Sequence, residues 1–296
     1  MSLNLTLLSL IFIASSSCGN VMQSKYNADN LIEFDTVFVA DKYHLDEDTT
    51  KPYCDINVEF TYPYLSEETN LQELQQFFVS SMFGSSFESL SPGDAAESYV
   101  NNYIENYSQD ADTYRESEPD LDVFLEFMSD TANELDADND NSFYSYYERL
   151  SNSIVYNKYK VLSFQVKQSN NKSGTVAGYI SYSNFAINLN TCKPISENEI
   201  FNAGYDIALQ GLIITSLLEQ NGVKSIEELE DLGFFGIQEI VPNSNFLLNE
   251  EGIIYTFNKG EYSAYQLDAP EVFIPYKTIR SLLRENTVVS NLADLQ

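Results

Sequence analysis

The sequence predicts an α+β fold: antiparallel sheets with helices packed on one face, arranged as two α+β modules. Three observations carry this prediction. Alternating apolar patterns of strand type occur at 32–39 and 54–62, return over 142–189, and occur again over 245–274. Blocks with helical spacing lie between them, at 66–83, 94–107 and 205–220. The links are mostly short and no regular strand–helix alternation runs along the chain, which excludes a doubly wound parallel sheet. With 296 residues, 43% of them hydrophobic, the chain has enough apolar mass to build such cores.

The elements follow in order. Leu3 to Ala14 is apolar and of signal-peptide length, too short to span a bilayer, and Ser15-Ser16-Ser17 leads to Cys18. This predicts a signal peptide over residues 1–17, lipidation of Cys18, and a tether over residues 18–30 that holds the body to a membrane. An N-terminal module with an acidic helical region is expected over 31–150. In it, strands at 32–39 and 54–62 flank a loop from Asp41 to Lys51, and Pro63 ends the second strand. A helix over 66–83 carries Leu74, Phe78 and Met82 on one face and stops at Gly84. Asp94 with Glu97 starts a second helix, and Pro119 opens a third with Leu121, Phe124, Leu125 and Met128. A C-terminal module is expected over 151–296. The run from 207 to 218 reads as a buried core helix, and Ser225 with Glu228 caps a short one. Asn249-Glu250-Glu251-Gly252 closes an apolar hairpin, Val272-Phe273-Ile274 is a strand stopped by Pro275, and a closing helix covers 277–283. Residues 141–165 hold no linker-like run of proline or glycine, so one continuous sheet spanning both modules is the alternative architecture.

Charge excludes several function classes. The net charge is −30, and residues 94–148 set sixteen carboxylates against Arg115 alone, a net −15. Phosphate backbones and anionic lipid surfaces are repelled by such a body, so nucleic-acid binding and electrostatic membrane docking are excluded. A cationic partner is instead steered toward it, with an advantage that fades as salt rises. Asp136, Asp138 and Asp140 alternate as in a calcium loop, but Asn141 and Tyr147 occupy the positions where the loop needs glycine and a bidentate glutamate. The segment therefore reads as an acidic linker, and no metal or cofactor is expected.

Catalysis has little to stand on. The single histidine, His44, falls in an acidic loop, which removes hydrolytic triads and His-rich zinc sites. With Cys18 lipidated, Cys54 falls on the buried face of a strand and Cys192 in a turn, so separate thiols are expected. The chain contains no phosphate-binding glycine loop and no nucleophile elbow.

The segments Gly252-Ile253-Ile254-Tyr255-Thr256-Phe257, Tyr262-Ser263-Ala264-Tyr265 and Val272-Phe273-Ile274-Pro275-Tyr276 form a recognisable tail. Upstream, Tyr159 to Phe164, a glycine loop, Phe185 to Leu189 and Glu199-Ile200-Phe201 extend it. Over roughly 155–285 this pattern resembles the C-terminal domain of the RsiV type, an extracytoplasmic family whose best understood member is a lysozyme-binding sensor in an anti-sigma factor. The resemblance implies an α+β extracytoplasmic domain at the envelope of a bacterium, and Gly19-Asn20-Val21 after Cys18, with no acidic run, predicts that it faces the periplasm. It also implies a cationic wall-degrading protein such as lysozyme, or a glycan, as partner. Its loops point to Gly174, Thr175, Val176, Ala177, Gly178, Tyr262 and Tyr265 as the partner-binding residues. Ala177 stands where family members usually carry histidine. The reading that follows is a non-catalytic binding module on a lipid anchor. A polysaccharide-handling enzyme or accessory domain, and a structural lipoprotein without small ligand, are the alternatives.

Overall fold

In the computed structural model, the described residues are 29–67, 69–109, 145–171, 178–264 and 267–295. The expected third helix, the aspartate-rich loop at 136–140 and the leader with Cys18 lie outside them. The architecture is α+β, as the sequence predicts. It is built on a six-stranded sheet in sequential order and a three-stranded sheet packed beside it.

The large sheet comprises β1 (Ile32–His44), β2 (Tyr53–Ser66), β3 (Tyr146–Lys158), β4 (Val161–Asn170), β5 (Tyr179–Asn188) and the two-residue β6 (Lys193–Pro194). Neighbouring strands are antiparallel except β2 and β3, which run parallel from Cys54↔Tyr146 to Glu59↔Ser151. Sequence patterning gave antiparallel sheet throughout. The parallel pair arises because the connection from β2 to β3 is long and carries helices, which is what a crossover between parallel neighbours needs. β3 itself spans the 150/151 position, and the sheet runs unbroken across it.

Two expected stops are strand interior. β1 continues through Asp41 and Lys42, which pair with Ile56 and Asp55, so His44 ends a strand and is not a loop residue. Charges there fit an edge strand, which needs no apolar partner on its open side. His44 is half-buried, its ring 5.2 Å from that of Tyr53 and its Nδ1 3.1 Å from the Lys51 carbonyl. β2 continues through Pro63, whose missing N–H points to the side that β3 has already left. It therefore costs no ladder bond.

Helices α1 (Leu71–Phe83) and α2 (residues 92–109) cover one face of the large sheet. The Asn70 side chain accepts from the Glu73 N–H, and Gly84 (φ 97°) ends α1, five residues shorter at its start than the apolar pattern suggests. α2 starts at Pro92 after Ser91, not at Asp94; Asp94 N–H instead donates back to Ser91 Oγ. Leu74, Phe78, Val79, Ala95, Ala96 and Val100 bury against Ile56, Val58, Phe60, Leu162 and Phe164. Phe164 stacks between Phe78 and Phe185, with centroids at 4.1 and 5.0 Å.

The second layer carries α3 (Glu197–Ile200), α4 (Asp206–Asn221), α5 (Ile226–Asp231), β7 (Phe246–Leu248), β8 (Gly252–Thr256), β9 (Glu271–Pro275), α6 (Tyr276–Ile279) and α7 (Val288–Ala293). The closing helix is the single turn α6, shorter than expected. α4 is one-sided: Leu209, Ile213 and Leu217 are buried, while Ile207 is 82% exposed, so this helix lies at the surface. Because Val161 and Ala186 face this layer while Leu162, Phe164 and Ile187 face α1, strands β4 and β5 are covered on both sides. No helix among the described residues is long and apolar enough to cross a membrane.

Candidate functional site

Of the residues expected to bind a partner, Gly174, Thr175, Val176, Ala177 and Tyr265 lie outside the described set. Gly178 opens the descending arm of the β4–β5 hairpin. A Cβ there would sit 1.9 Å from the Tyr147 hydroxyl, so only glycine allows this close approach. Tyr147 is flanked by Arg149, whose guanidinium pairs with Asp55 at 2.7 Å. Tyr262 belongs to different surroundings: its ring packs edge-on against Phe257 at 5.5 Å, and its carbonyl accepts from Phe235 N–H. It is partly buried against the second core, which makes it a packing residue.

Among the described residues, the two buried carboxylates are structural. Glu148, 4% exposed, accepts from the Tyr99 hydroxyl at 2.5 Å. Glu197 accepts from Tyr205 O–H and Ser244 N–H, both at 3.0 Å, and ties α3 to the chain leading into β7. Burial, with the Glu197 charge beside it, pushes the Tyr205 hydroxyl up to about 12, so it stays a donor at neutral pH. Cys54 and Cys192 are free. Burial pushes the fully enclosed Cys54 thiol up to about 11, and a thiol so protonated is a poor nucleophile or metal ligand.

Among the described residues, a concave surface lies elsewhere, where β9 meets α4 and the β7–β8 turn. One cavity of about 410 Å³ is walled by Leu212, Thr215, Ser216 and Glu219 of α4 on one side and by Phe273, Pro275 and Lys277 on the other. A second, of about 460 Å³, shares Phe273, Pro275 and Lys277 and is closed by Tyr159, Glu250, Glu251 and Leu295. The shared residues join them into one groove. Its floor is apolar, and its rim sets the Glu219, Glu250 and Glu251 carboxylates against one ammonium, Lys277. Lys158 stands 3.9 Å from Glu250. The shape comes from local chemistry. Asn249 Oδ1 accepts from the N–H groups of Glu251 and Gly252, which turns the hairpin tightly and presents both glutamates. Gly252 lets β9 close in, since a Cβ there would meet Ile274 O at 2.2 Å. Hydroxyls, carboxylates and an ammonium over an apolar floor suit recognition of a polar, cationic chain, and the lining has no imidazole or thiol to run nucleophilic chemistry.

Most of this groove falls in one recognisable stretch. Residues 198–277 match the family model described as protein of unknown function, DUF3298. Among solved structures, a DUF3298 family member from Bacteroides fragilis superposes with a TM-score of 0.77 at 24% identity, over 90% of this chain and 99% of that one. A DUF3298 family protein from Pseudomonas aeruginosa gives 0.55 at 11% identity, over 86% and 96%. At these identities the likeness establishes the fold. No curated protein matches the chain. The DUF3298 segment runs from α3 to the start of α6, so it contains α4, the hairpin and β9, and with them most of the groove lining. Sequence reading fixed on the tyrosines and the glycine loop. It passed over Phe273 and Lys277, whose only signal was a partly apolar strand followed by a cation.

Proposed function

We propose that this chain is a non-catalytic binding module of a bacterial cell envelope, as the RsiV-type resemblance implies, held at the membrane through Cys18 and facing the periplasm. Its partner is a cationic protein or a glycan, with lysozyme the first to test. The groove at Phe273, Pro275 and Lys277, rimmed by Glu219, Glu250 and Glu251, is the observation that carries this reading. A net charge of −30 steers positive partners to the body, while the apolar floor supplies contact that salt does not screen.

The test is calorimetric titration of the full chain, carrying Cys18→Ser, with lysozyme at low and at physiological salt. Saturable binding is expected at both, weakened by about tenfold in the Glu219→Gln/Glu251→Gln variant. Binding confined to low salt, or undiminished in the variant, would reject the groove as the partner site.

A further inference from the structure

Several strand edges among the described residues are closed by side chains. Where β2 outlasts β3, Asn152 takes over the next rung: its Oδ1 accepts from Thr61 N–H and its Nδ2 donates to Thr61 O, each at 2.7 Å. Past the short β6, the free edge of β5 is met by Asn258, which bonds both N–H and C=O of Tyr182, and by Asn245, which accepts from Asn184 N–H. The outer edge of β7 is satisfied by Ser163, whose hydroxyl donates to Leu248 O at 2.8 Å and accepts from Leu248 N–H. On β1, Asp35 and Asp41 fold back onto the N–H groups of Thr36 and Lys42. Such devices block the pairing that an open edge invites.

The outer edge of β9 has no such cap. Tyr276 N–H donates to Glu251 O and Phe257 N–H donates to Pro270 O, which fixes the phase: residues 272 and 274 bond to β8, while 271, 273 and 275 face outward. Among the described residues, nothing hydrogen-bonds the outward N–H and C=O of Phe273 or of Glu271. Pro275 has no N–H to offer. The Phe273 and Pro275 side chains at this edge are shared by both halves of the groove.

We infer that the outer edge of β9 takes an extended peptide segment as a fourth strand, and that the partner segment is basic. Its backbone pairs with Glu271 and Phe273, its apolar side chains meet the Phe273–Pro275 floor, and its cationic side chains meet the carboxylates of the rim. Strand addition supplies affinity through main-chain bonds and specificity through alternate side chains. Charge selects the occupant. With Glu219, Glu250, Glu251 and Glu271 around the edge, a basic strand is attracted, and a second copy of a −30 chain is repelled. The inference deepens the binding reading above and rests on it.

The test uses the full chain carrying Cys18→Ser and two synthetic peptides of alternating lysine and valine. In the second, every main-chain amide is N-methylated, which removes the donors from both edges. The two have equal charge but only the first can add as a strand. The first is expected to bind saturably at physiological salt at least about tenfold more tightly than the second, and to slow hydrogen exchange at the Phe273 amide. Equal affinity of the two peptides, no binding of either, or unchanged exchange at Phe273 would overturn strand addition. Protection of that amide by self-association without peptide would overturn it in favour of a dimer. Lysozyme binding that depends on Glu219 and Glu251 would survive any of these results, so the two readings fail separately.

Discussion

Replacing Asn152 with alanine tests whether side chains really serve as strand rungs here. Asn152 is 8% exposed, and both its bonds, at 2.7 Å, go to the one residue Thr61. A protein hydrogen bond contributes about 1 kcal/mol net, so losing two should cost about 2 kcal/mol. Thr61 is only half-buried, so water recovers part of that and the cost should not run higher. At roughly 2–4 °C per kcal/mol for domains approaching this size, the thermal midpoint should fall by about 4–8 °C. Asn152→Asp is the sharper variant: it keeps the acceptor for Thr61 N–H but sets a carboxylate against Thr61 O. It should therefore be no more stable than the alanine variant. Circular-dichroism melts and guanidinium unfolding of all three proteins would measure this. A loss below about 0.5 kcal/mol for alanine, or a wild-type midpoint for aspartate, would refute the rung reading.

Three further outcomes follow from other contacts. Cys54 and Tyr205 titrate higher folded than unfolded, so the stability they contribute is full below pH 9 and is lost as pH rises through about 11 and 12; unfolding free energy measured from pH 8 upward should fall, less steeply in Cys54→Ala, and a flat profile would contradict the burial of these groups. At pH 8 a thiol reagent should label Cys192 in the native protein but reach Cys54 only in denaturant. Gly252→Ala should destabilise by about 1–3 kcal/mol, because the new Cβ meets Ile274 O at 2.2 Å and β9 must move; unfolding midpoints near wild type would mean that β9 is loosely held.

Much of the fold was legible because it rests on local periodicity. Ile56, Val58 and Phe60 alternate onto one face, Leu74, Phe78 and Met82 recur at helical spacing, and both patterns survive into the structure. The Ser225 cap is where the sequence placed it, its side chain accepting from Glu228 N–H. What was not legible depends on partners distant in sequence. Nothing near Tyr146 announces that it pairs with Cys54, across the connection that carries α1 and α2. Ile207 looked buried because its neighbours are apolar, but helix orientation turned it to solvent. The candidate site was harder still. Tyr262 was singled out by the family resemblance and packs beside Phe257, whereas Phe273 is ordinary in sequence and becomes significant only because β9 ends a sheet.

The prolines carried that information in disguised form. Pro63 and Pro275 both read as strand stops, on the ground that proline cannot donate to a ladder. Each in fact stands at the one phase where a missing N–H is harmless, facing away from the paired neighbour. A proline inside or at the end of an alternating run is therefore evidence of an open side as much as of a terminus. At Pro63 that side is closed, since Gln75 Nε2 donates to the proline carbonyl at 2.8 Å and Asn152 covers Thr61 two residues before. At Pro275 the carbonyl turns into α6 as the cap of that helix, while among the described residues nothing bonds the backbone groups of Phe273, two residues before it, which face the groove side of the strand. The same sequence signal thus marks one edge that the protein has sealed and one that it has left for something else to complete.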